Sequence, residues 1–228
     1  MSRPNISAPL CHGIIKPEAN NATEGSQEPE TTVQLAMRLI ALVLKDDLSM
    51  NDQDRLLALL DQDPQLVHQI GVTPGQLPDL VKNNPIVAIS ILLKLKNSEQ
   101  ITEYYNILVN MKMSLHSLEV VNRLTTSAPL PVHFIQMFIS NCIITSDSIR
   151  DRNVQTRLVR LFCVYLQSVV RNGIIKVEEL LIALETFCVR FRHIREVIVL
   201  RRLLSQLVTD RSNAAHYSWP YYVAQRKE

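Results

Sequence analysis

The run from Ile86 to Leu95 (IVAISILLKL) constrains this chain more than any other stretch. Asn84-Pro85 precedes it, which is the pattern of a helix cap followed by proline at the first helical position. A helix that is apolar on nearly every side belongs either inside a helix bundle or inside a membrane. Because the run is about half as long as a membrane span, the sequence predicts a buried helix of a bundle.

The rest of the chain repeats helical apolar patterns, and it has few residues that make turns. Gly173 is the only glycine after Gly75. This composition favours helices with short connections over a sheet with many hairpins. We therefore predict an all-α fold without a sheet: an irregular bundle of ten or eleven helices in antiparallel pairs, loosely armadillo- or HEAT-like. The longest helix is expected to follow Asp147 and end near Arg171, and the last to span residues 194–208.

Three segments are predicted along the chain. Residues 1–30 are rich in proline and polar side chains and are expected to form a disordered leader. Residues 31–210 are expected to form a single all-helical interaction domain. Residues 211–228 form a tail that lacks the apolar period but contains four aromatic residues: Tyr217, Trp219, Tyr221 and Tyr222. This tail either docks as a short peptide or wraps over the last helix.

The sequence offers little chemistry for catalysis. It contains no glycine-rich phosphate loop and no His-Glu-x-x-His zinc helix. His116 and Glu119 lie three residues apart, as in half of a metal site, but a capping or surface role is favoured. Cys188 and His193 suggest a nucleophile and a base, yet Cys188 continues an apolar face, so packing is favoured. We predict a protein that is not an enzyme and that uses no cofactor, metal or small-molecule substrate.

The four cysteines are widely spaced, and no Cys-x-x-Cys pair occurs. Cys142, Cys163 and Cys188 lie on apolar helical patterns, where cysteine behaves as a small buried hydrophobe. The N-terminus also lacks the apolar segment of a secretory signal. We expect a reducing, intracellular compartment and no membrane association.

The charge is distributed unevenly along the chain. Residues 1–146 contain 10 basic and 14 acidic side chains, whereas residues 147–211 contain 12 basic and seven acidic ones. The basic part is either a solvated helical face, a surface for an acidic protein partner, or an RNA-binding surface. RNA binding requires aromatic residues for base stacking, and only Tyr165 is expected to lie among the exposed arginines. An acidic partner is therefore favoured over nucleic acid.

The adjacent pair Tyr104-Tyr105 cannot lie on one narrow stripe, because successive helical residues diverge by about 100°. One of the two tyrosines is therefore expected to mark a groove.

Several stretches are similar to those of a known family. They are LPDLVKNNPIVAISILLKL, QITEYYNILVNMKMSLHSLEVVNRLTT, ISNCI, RLVRLFCVYLQSVVRN and FRHIRE. The chain resembles subunit 11 of the CCR/NOT (carbon catabolite repression–negative on TATA) deadenylase complex over roughly residues 55–208. The similar part is the family's C-terminal, all-helical domain. The longer N-terminal domain of typical members has no counterpart here.

The resemblance implies a non-catalytic interaction module that recruits protein partners in messenger-RNA deadenylation, decay and silencing. The implied partners are other subunits of the complex, the scaffold subunit and subunit ten among them, and regulatory proteins. The implied location is the cytoplasm and also the nucleus. Six polar residues are predicted to bind partners: Asn122, Arg123, Arg152, Arg157, Arg160 and Arg195. Each of them alternatively forms only a salt bridge to a neighbouring helix. Direct RNA binding by the basic part is the alternative function.

Overall fold

The structure is a computed structural model that describes the backbone of residues 30–223 and the side chains of residues 30–209. The leader predicted for residues 1–30 lies outside it, apart from Glu30. The described residues from Thr31 onward form one compact unit. Ten α-helices and no strand occur in the described residues, so the all-α fold predicted from the sequence is confirmed.

The helices are short in the first half of the domain and longer in the second. They are α1 (Thr32–Val43), α2 (Met50–Gln62), α3 (Leu77–Asn83), α4 (Pro85–Leu95), α5 (Ile101–Asn110), α6 (Leu115–Ser127), α7 (Val132–Ser146), α8 (Arg152–Arg171), α9 (Leu181–Arg190) and α10 (Arg195–Val223). Three 3₁₀ turns lie between them, at Pro64–His68, Pro74–Gln76 and Val177–Glu179.

Side-chain caps fix where several helices begin. Thr31 and Gln34 form a capping box at α1, and Ser114 and Ser117 form one at α6. At α4 the Asn84 side chain accepts a hydrogen bond from the Val87 backbone N–H at 3.0 Å. These starts satisfy backbone donors that a helix leaves unpaired, and the start at Asn84-Pro85 was predicted from the sequence.

The helices are arranged in two layers. Within one layer α2, α4, α6, α8 and α10 each contact the next, and we call this the even layer. In the other layer α3 contacts α5, α5 contacts α7, and α7 contacts α9; we call this the odd layer. Sequential helices such as α3 and α4 contact each other across the layers, as in armadillo and HEAT stacking.

Two predicted helix ends are wrong. The chain starts α8 at Arg152, after the Asp151 cap, rather than directly after Asp147. The last helix continues to Val223, so α10, and not α8, is the longest helix described. Loss of an apolar stripe was read as a helix end near Val208, but residues 209–219 contain no glycine or proline, so the backbone continues as a helix beyond Val208. The aromatic tail residues lie outside the side chains that the structure describes.

Both tyrosines of the Tyr104-Tyr105 pair are buried, so the expectation that one marks a groove is wrong. The Tyr104 hydroxyl donates to the backbone oxygen of Val72 at 2.7 Å. The Tyr105 ring packs against Phe134, with the ring centroids 4.6 Å apart. Because α5 is covered by α3 on one side and α7 on the other, a wide stripe of its surface is buried. No described helix is long and apolar enough to cross a membrane.

Candidate protein-interaction surface

Helix α4 is apolar on two stripes, and only one of them is buried. The inner stripe consists of Val87, Ala88, Ile91, Leu92 and Leu95, which are all buried in the core. The outer stripe consists of Ile86, Ile89, Ser90, Leu93 and Lys94, which are exposed or partly exposed. The prediction that Ile86–Leu95 is simply a buried helix therefore holds for one side only. Its other side presents apolar side chains to solvent.

The outer stripe of α4 forms the floor of a groove between α2, α4 and α6, which we call the α4–α6 groove. It has a volume of about 640 Å³. Its lining residues are Leu57, Asp61, Ile86, Ile89, Ser90, Leu93, Lys94, Glu119, Asn122, Arg123 and Ser127. All of them belong to the even layer, so the groove opens on the side of that layer that faces away from the odd layer.

Two of the predicted site residues, Asn122 and Arg123, line this groove together. Both lie on the exposed side of α6. Among the described residues, neither side chain has a hydrogen-bond or ion-pair partner. On the opposite rim, Lys94 and Asp61 form an ion pair with 2.6 Å between Nζ and Oδ1. The groove thus combines an apolar floor with polar groups whose donors remain available.

A second, smaller groove runs on the other side of α6, between α6 and α8. We call it the α6–α8 groove. It has a volume of about 260 Å³, and its lining residues are Leu115, Leu118, Glu119, Asn122, Leu161, Val164 and Tyr165. Two apolar residues of α8 are exposed in it, Leu161 at 37% and Val164 at 58%. Glu119 and Asn122 line both grooves, so the exposed side of α6 is a ridge between them.

Tyr165 lies at the base of the α6–α8 groove and is buried, not exposed among the arginines as expected. Its hydroxyl oxygen is buried and has no hydrogen-bond partner of ordinary geometry among the described residues. Burial raises the pKa of this hydroxyl, and a weaker contact with the Thr125 side chain opposes the rise. The Thr125 hydroxyl itself donates to the backbone oxygen of Val121 at 2.7 Å, so it bonds mainly within α6.

The remaining predicted site residues lie in other places. Arg157 is exposed on the same side of α8 as Leu161 and Val164, one and two turns before them. Arg160 forms an ion pair with Glu196 of α10, with 3.4 Å between Nε and Oε2. The structural role considered for these residues is therefore present at Arg160.

Arg152 lines a separate cleft at one end of the domain, which we call the end cleft. It lies where α7 ends, α8 begins and α9 ends, and it has a volume of about 300 Å³. Its lining residues are Asp147, Arg152, Gln155, Thr156, Arg190, Phe191 and His193. Arg195, the first residue of α10, is exposed. The six predicted residues are thus distributed over three parts of the surface.

In each pair considered for catalysis or metal binding, one residue has a structural role. The Nδ1 atom of His116 lies 2.8 Å from the backbone oxygen of Lys82, which places this histidine at the end of α3. Cys188 is buried, and burial raises the pKa of its thiol to about 11, the opposite of what a nucleophile requires. In the part of the chain that is described, no cluster of His, Cys, Asp and Glu could hold a metal ion.

The comparison with known families decides which group of proteins this surface belongs to. A model of the family "CCR4-NOT transcription complex subunit 11" matches residues 81–205. The chain belongs to this family. The subunit 11 match extends from α3 into α10. It therefore covers the end cleft, the α6–α8 groove and all of the α4–α6 groove except its α2 wall.

A curated relative supports the assignment. It is the CCR4-NOT transcription complex subunit 11 of Dictyostelium discoideum, which is 46% identical over 146 residues. The alignment covers 64% of this chain but 23% of that relative, so it spans about a quarter of the relative's length. The chain thus shares one region with this subunit 11 protein.

The groove floor was not predicted from the sequence, because its residues were assigned to the core. These residues are Ile86, Ile89 and Leu93. The missed signal was in the run itself. A helix of a two-layer fold needs one apolar stripe, and α4 has two. A second apolar stripe without a covering helix indicates a surface for another molecule.

Proposed function

We propose that this domain is a non-catalytic interaction module of the CCR4-NOT complex that recruits protein partners in messenger-RNA deadenylation, decay and silencing. A partner helix or extended peptide places apolar side chains on the α4–α6 groove floor. The polar groups of α6 then fix its orientation.

The observation that carries this proposal is the exposed apolar stripe of α4 beside the unpaired Asn122 and Arg123. Ile86 is 46% exposed although the inner stripe of the same helix is fully covered. Binding sites in proteins commonly have an apolar centre with a few polar groups that set orientation. A volume of about 640 Å³ suits a row of side chains from one partner segment.

Membership of the subunit 11 family supports the choice of complex. The name of the Dictyostelium discoideum relative describes a subunit of CCR4-NOT. We extend that role to this chain through the shared region, and we propose other subunits of the complex, the scaffold subunit and subunit ten among them, and regulatory proteins as its partners. The proposed location, cytoplasm and nucleus, follows from this role.

RNA binding by the basic part is less well supported. Its one candidate stacking aromatic, Tyr165, is buried, and so is Phe191 beside the basic residues of the end cleft. A stacking platform requires aromatic faces that a base can reach. We therefore favour proteins over RNA as the partners of this domain.

The proposal is tested by affinity purification of the tagged chain from its own cells, comparing the unchanged protein with Ile86→Asp and with Arg123→Glu. We expect the unchanged chain to retrieve other subunits of the complex. With each variant, the amount of at least one retrieved partner should fall to a small fraction of that retrieved by the unchanged chain. The reason is that a buried carboxylate or a reversed charge in the groove opposes binding.

The chain offers a closely matched control in Ile182→Asp. Ile86 and Ile182 are both the second residue of a helix, and both are exposed, at 46% and 83%. Ile182 lies in the odd layer, outside the groove. Failure of the unchanged chain to retrieve any subunit of the complex would contradict the proposed membership. Equal loss in Ile86→Asp and Ile182→Asp would contradict the groove as the binding site.

A further inference from the structure

The region around the end cleft contains more cations than its own acidic side chains can pair. Five arginines lie within two short segments, 150–152 and 190–195, that meet at this end of the domain: Arg150, Arg152, Arg190, Arg192 and Arg195. The acidic side chains of the same region are Asp147, Asp151 and Glu196. Whether any of the arginines remains unpaired therefore depends on what these three carboxylates already bind.

Each of the three carboxylates is engaged. Asp147 Oδ1 is 2.6 Å from Nε of Arg190. Asp151 caps α8 by accepting hydrogen bonds from the backbone N–H groups of Asn153 and Val154, at 2.8 and 3.1 Å. Glu196 pairs with Arg160 of α8. Among the described residues, none of them forms an ion pair with Arg152.

Arg152 is placed where the fold itself disfavours a cation. It is the first residue of α8, and the first turn of this long helix contains no acidic residue. The aligned peptide dipoles make a helix start electropositive, and the Asp151 cap offsets this only in part, so a positive side chain at the first helical position gains nothing from the dipole. Arg152 is exposed and has no hydrogen bond or ion pair within the described residues. Stability therefore does not explain this residue.

The end cleft already shows how a carboxylate binds there. Asp147 and Arg190 are both lining residues, and they are joined by a short charge-assisted contact. Arg152 and His193 line the same cleft without an equivalent partner. A guanidinium offers paired donors that match the two oxygens of a carboxylate. Arg152 therefore offers donors that suit a further carboxylate group.

We propose that the end cleft binds an acidic segment of a protein partner, with aspartate or glutamate side chains paired to Arg152 and to the flanking Arg195. This site is distinct from the α4–α6 groove, and it does not depend on the function proposed for that groove. Nucleic acid fits the cleft less well, because the ring of its aromatic residue, Phe191, is 4% exposed and offers no stacking surface.

The test is fluorescence anisotropy with the full chain and a labelled peptide in which aspartates alternate with serines. The same peptide with asparagines in place of aspartates is the probe control. We expect the aspartate peptide to bind in a saturable way and the asparagine peptide not to bind. Arg152→Gln should weaken binding roughly 1.5- to fivefold, the range for an exposed charge pair.

The matched protein control is Arg171→Gln. Arg171 is exposed at the opposite end of the same helix, roughly 28 Å away at 1.5 Å per residue. It changes net charge by the same amount, so it should leave binding unchanged. Arg152→Lys should retain part of the affinity, because it keeps the positive charge but lacks the paired N–H donors of the guanidinium. Arg152→Gln removes an unfavourable cation from a helix start, so unfolding does not account for a loss of binding.

Three outcomes would overturn the proposal. The first is an equal loss with Arg171→Gln, which would indicate diffuse attraction by net charge. The second is the absence of peptide binding at low salt, where exposed charge pairs are strongest. The third is tighter binding of a single-stranded RNA that displaces the peptide, which would assign the cleft to nucleic acid.

Discussion

The outer stripe of α4 and the start of α8 differ in chemistry but share one property. On α4, Ile86 is exposed and lies beside Ile89 and Leu93, which are only partly covered. On α8, Arg152 occupies a helix start that favours anions. For the stability of the isolated domain, a polar residue would be better at Ile86 and an acidic residue would be better at Arg152.

The contrast teaches what each surface is suited to bind. An uncovered apolar stripe gains free energy by leaving water, so it suits an apolar partner segment at any salt concentration. An unpaired cation in an exposed cleft attracts an acidic partner strongly only at low salt, because dissolved ions screen exposed charges. Raising the salt concentration should therefore weaken binding at the end cleft and leave binding at the α4–α6 groove largely unaffected.

The largest expected effect separates the two stripes of α4. Ile91→Ala, on the inner stripe, removes atoms from a side chain that is 0% exposed, and it should lower the free energy of unfolding by about 2–5 kcal/mol. Ile86→Ala, on the outer stripe, should change it by less than about 0.5 kcal/mol. Urea unfolding followed by circular dichroism measures both. Similar losses would show that the outer stripe is part of the core.

A smaller effect is expected from the two helix caps. Asn84→Ala removes the acceptor for Val87 N–H, and it also removes a donor to Gln53 Oε1 at 2.8 Å. Asp151→Ala removes the corresponding acceptor at α8. Each should cost roughly 0.5–2 kcal/mol of unfolding free energy. Thermal unfolding of both variants tests this.

Comparable losses would mean that α4 and α8 begin with equally effective caps. The difference between the two starts would then lie in the first helical residue, Pro85 in one and Arg152 in the other. A negligible loss at Asp151 alone would instead mean that α8 begins without needing its cap, and it would weaken the comparison.

The parts of the fold that sequence reasoning predicted are those that depend on local chemistry. Asn84-Pro85 begins a helix as expected, and Asp63-Pro64 and Ser114 likewise begin helical segments. At α2 both Ser49 and Asp52 have a capping oxygen; Ser49 is the cap and accepts from the Asp52 N–H at 3.2 Å. The serine and the aspartate both have capping oxygens, and local sequence does not decide between them.

The candidate surface was less predictable, because it depends on which helices cover which stripes. Periodicity identifies Leu161 as apolar but does not show that the space between α6 and α8 remains open. Likewise it does not show that Arg160 meets Glu196 of another helix whereas Arg157 remains exposed. The arginines were therefore predicted as one surface although the fold separates them.

The smallest expected effect has the opposite sign to the others. Arg152→Gln should raise the unfolding free energy by roughly 0.3–1 kcal/mol, because it removes a cation from the electropositive start of α8. Arg171→Gln, in the last turn, should lower it by a similar amount, because a cation there is favourable. Thermal unfolding at low ionic strength measures both, and added salt should shrink both changes. A loss of stability in Arg152→Gln would mean that this arginine supports the fold, and the case for its role in binding would then fail.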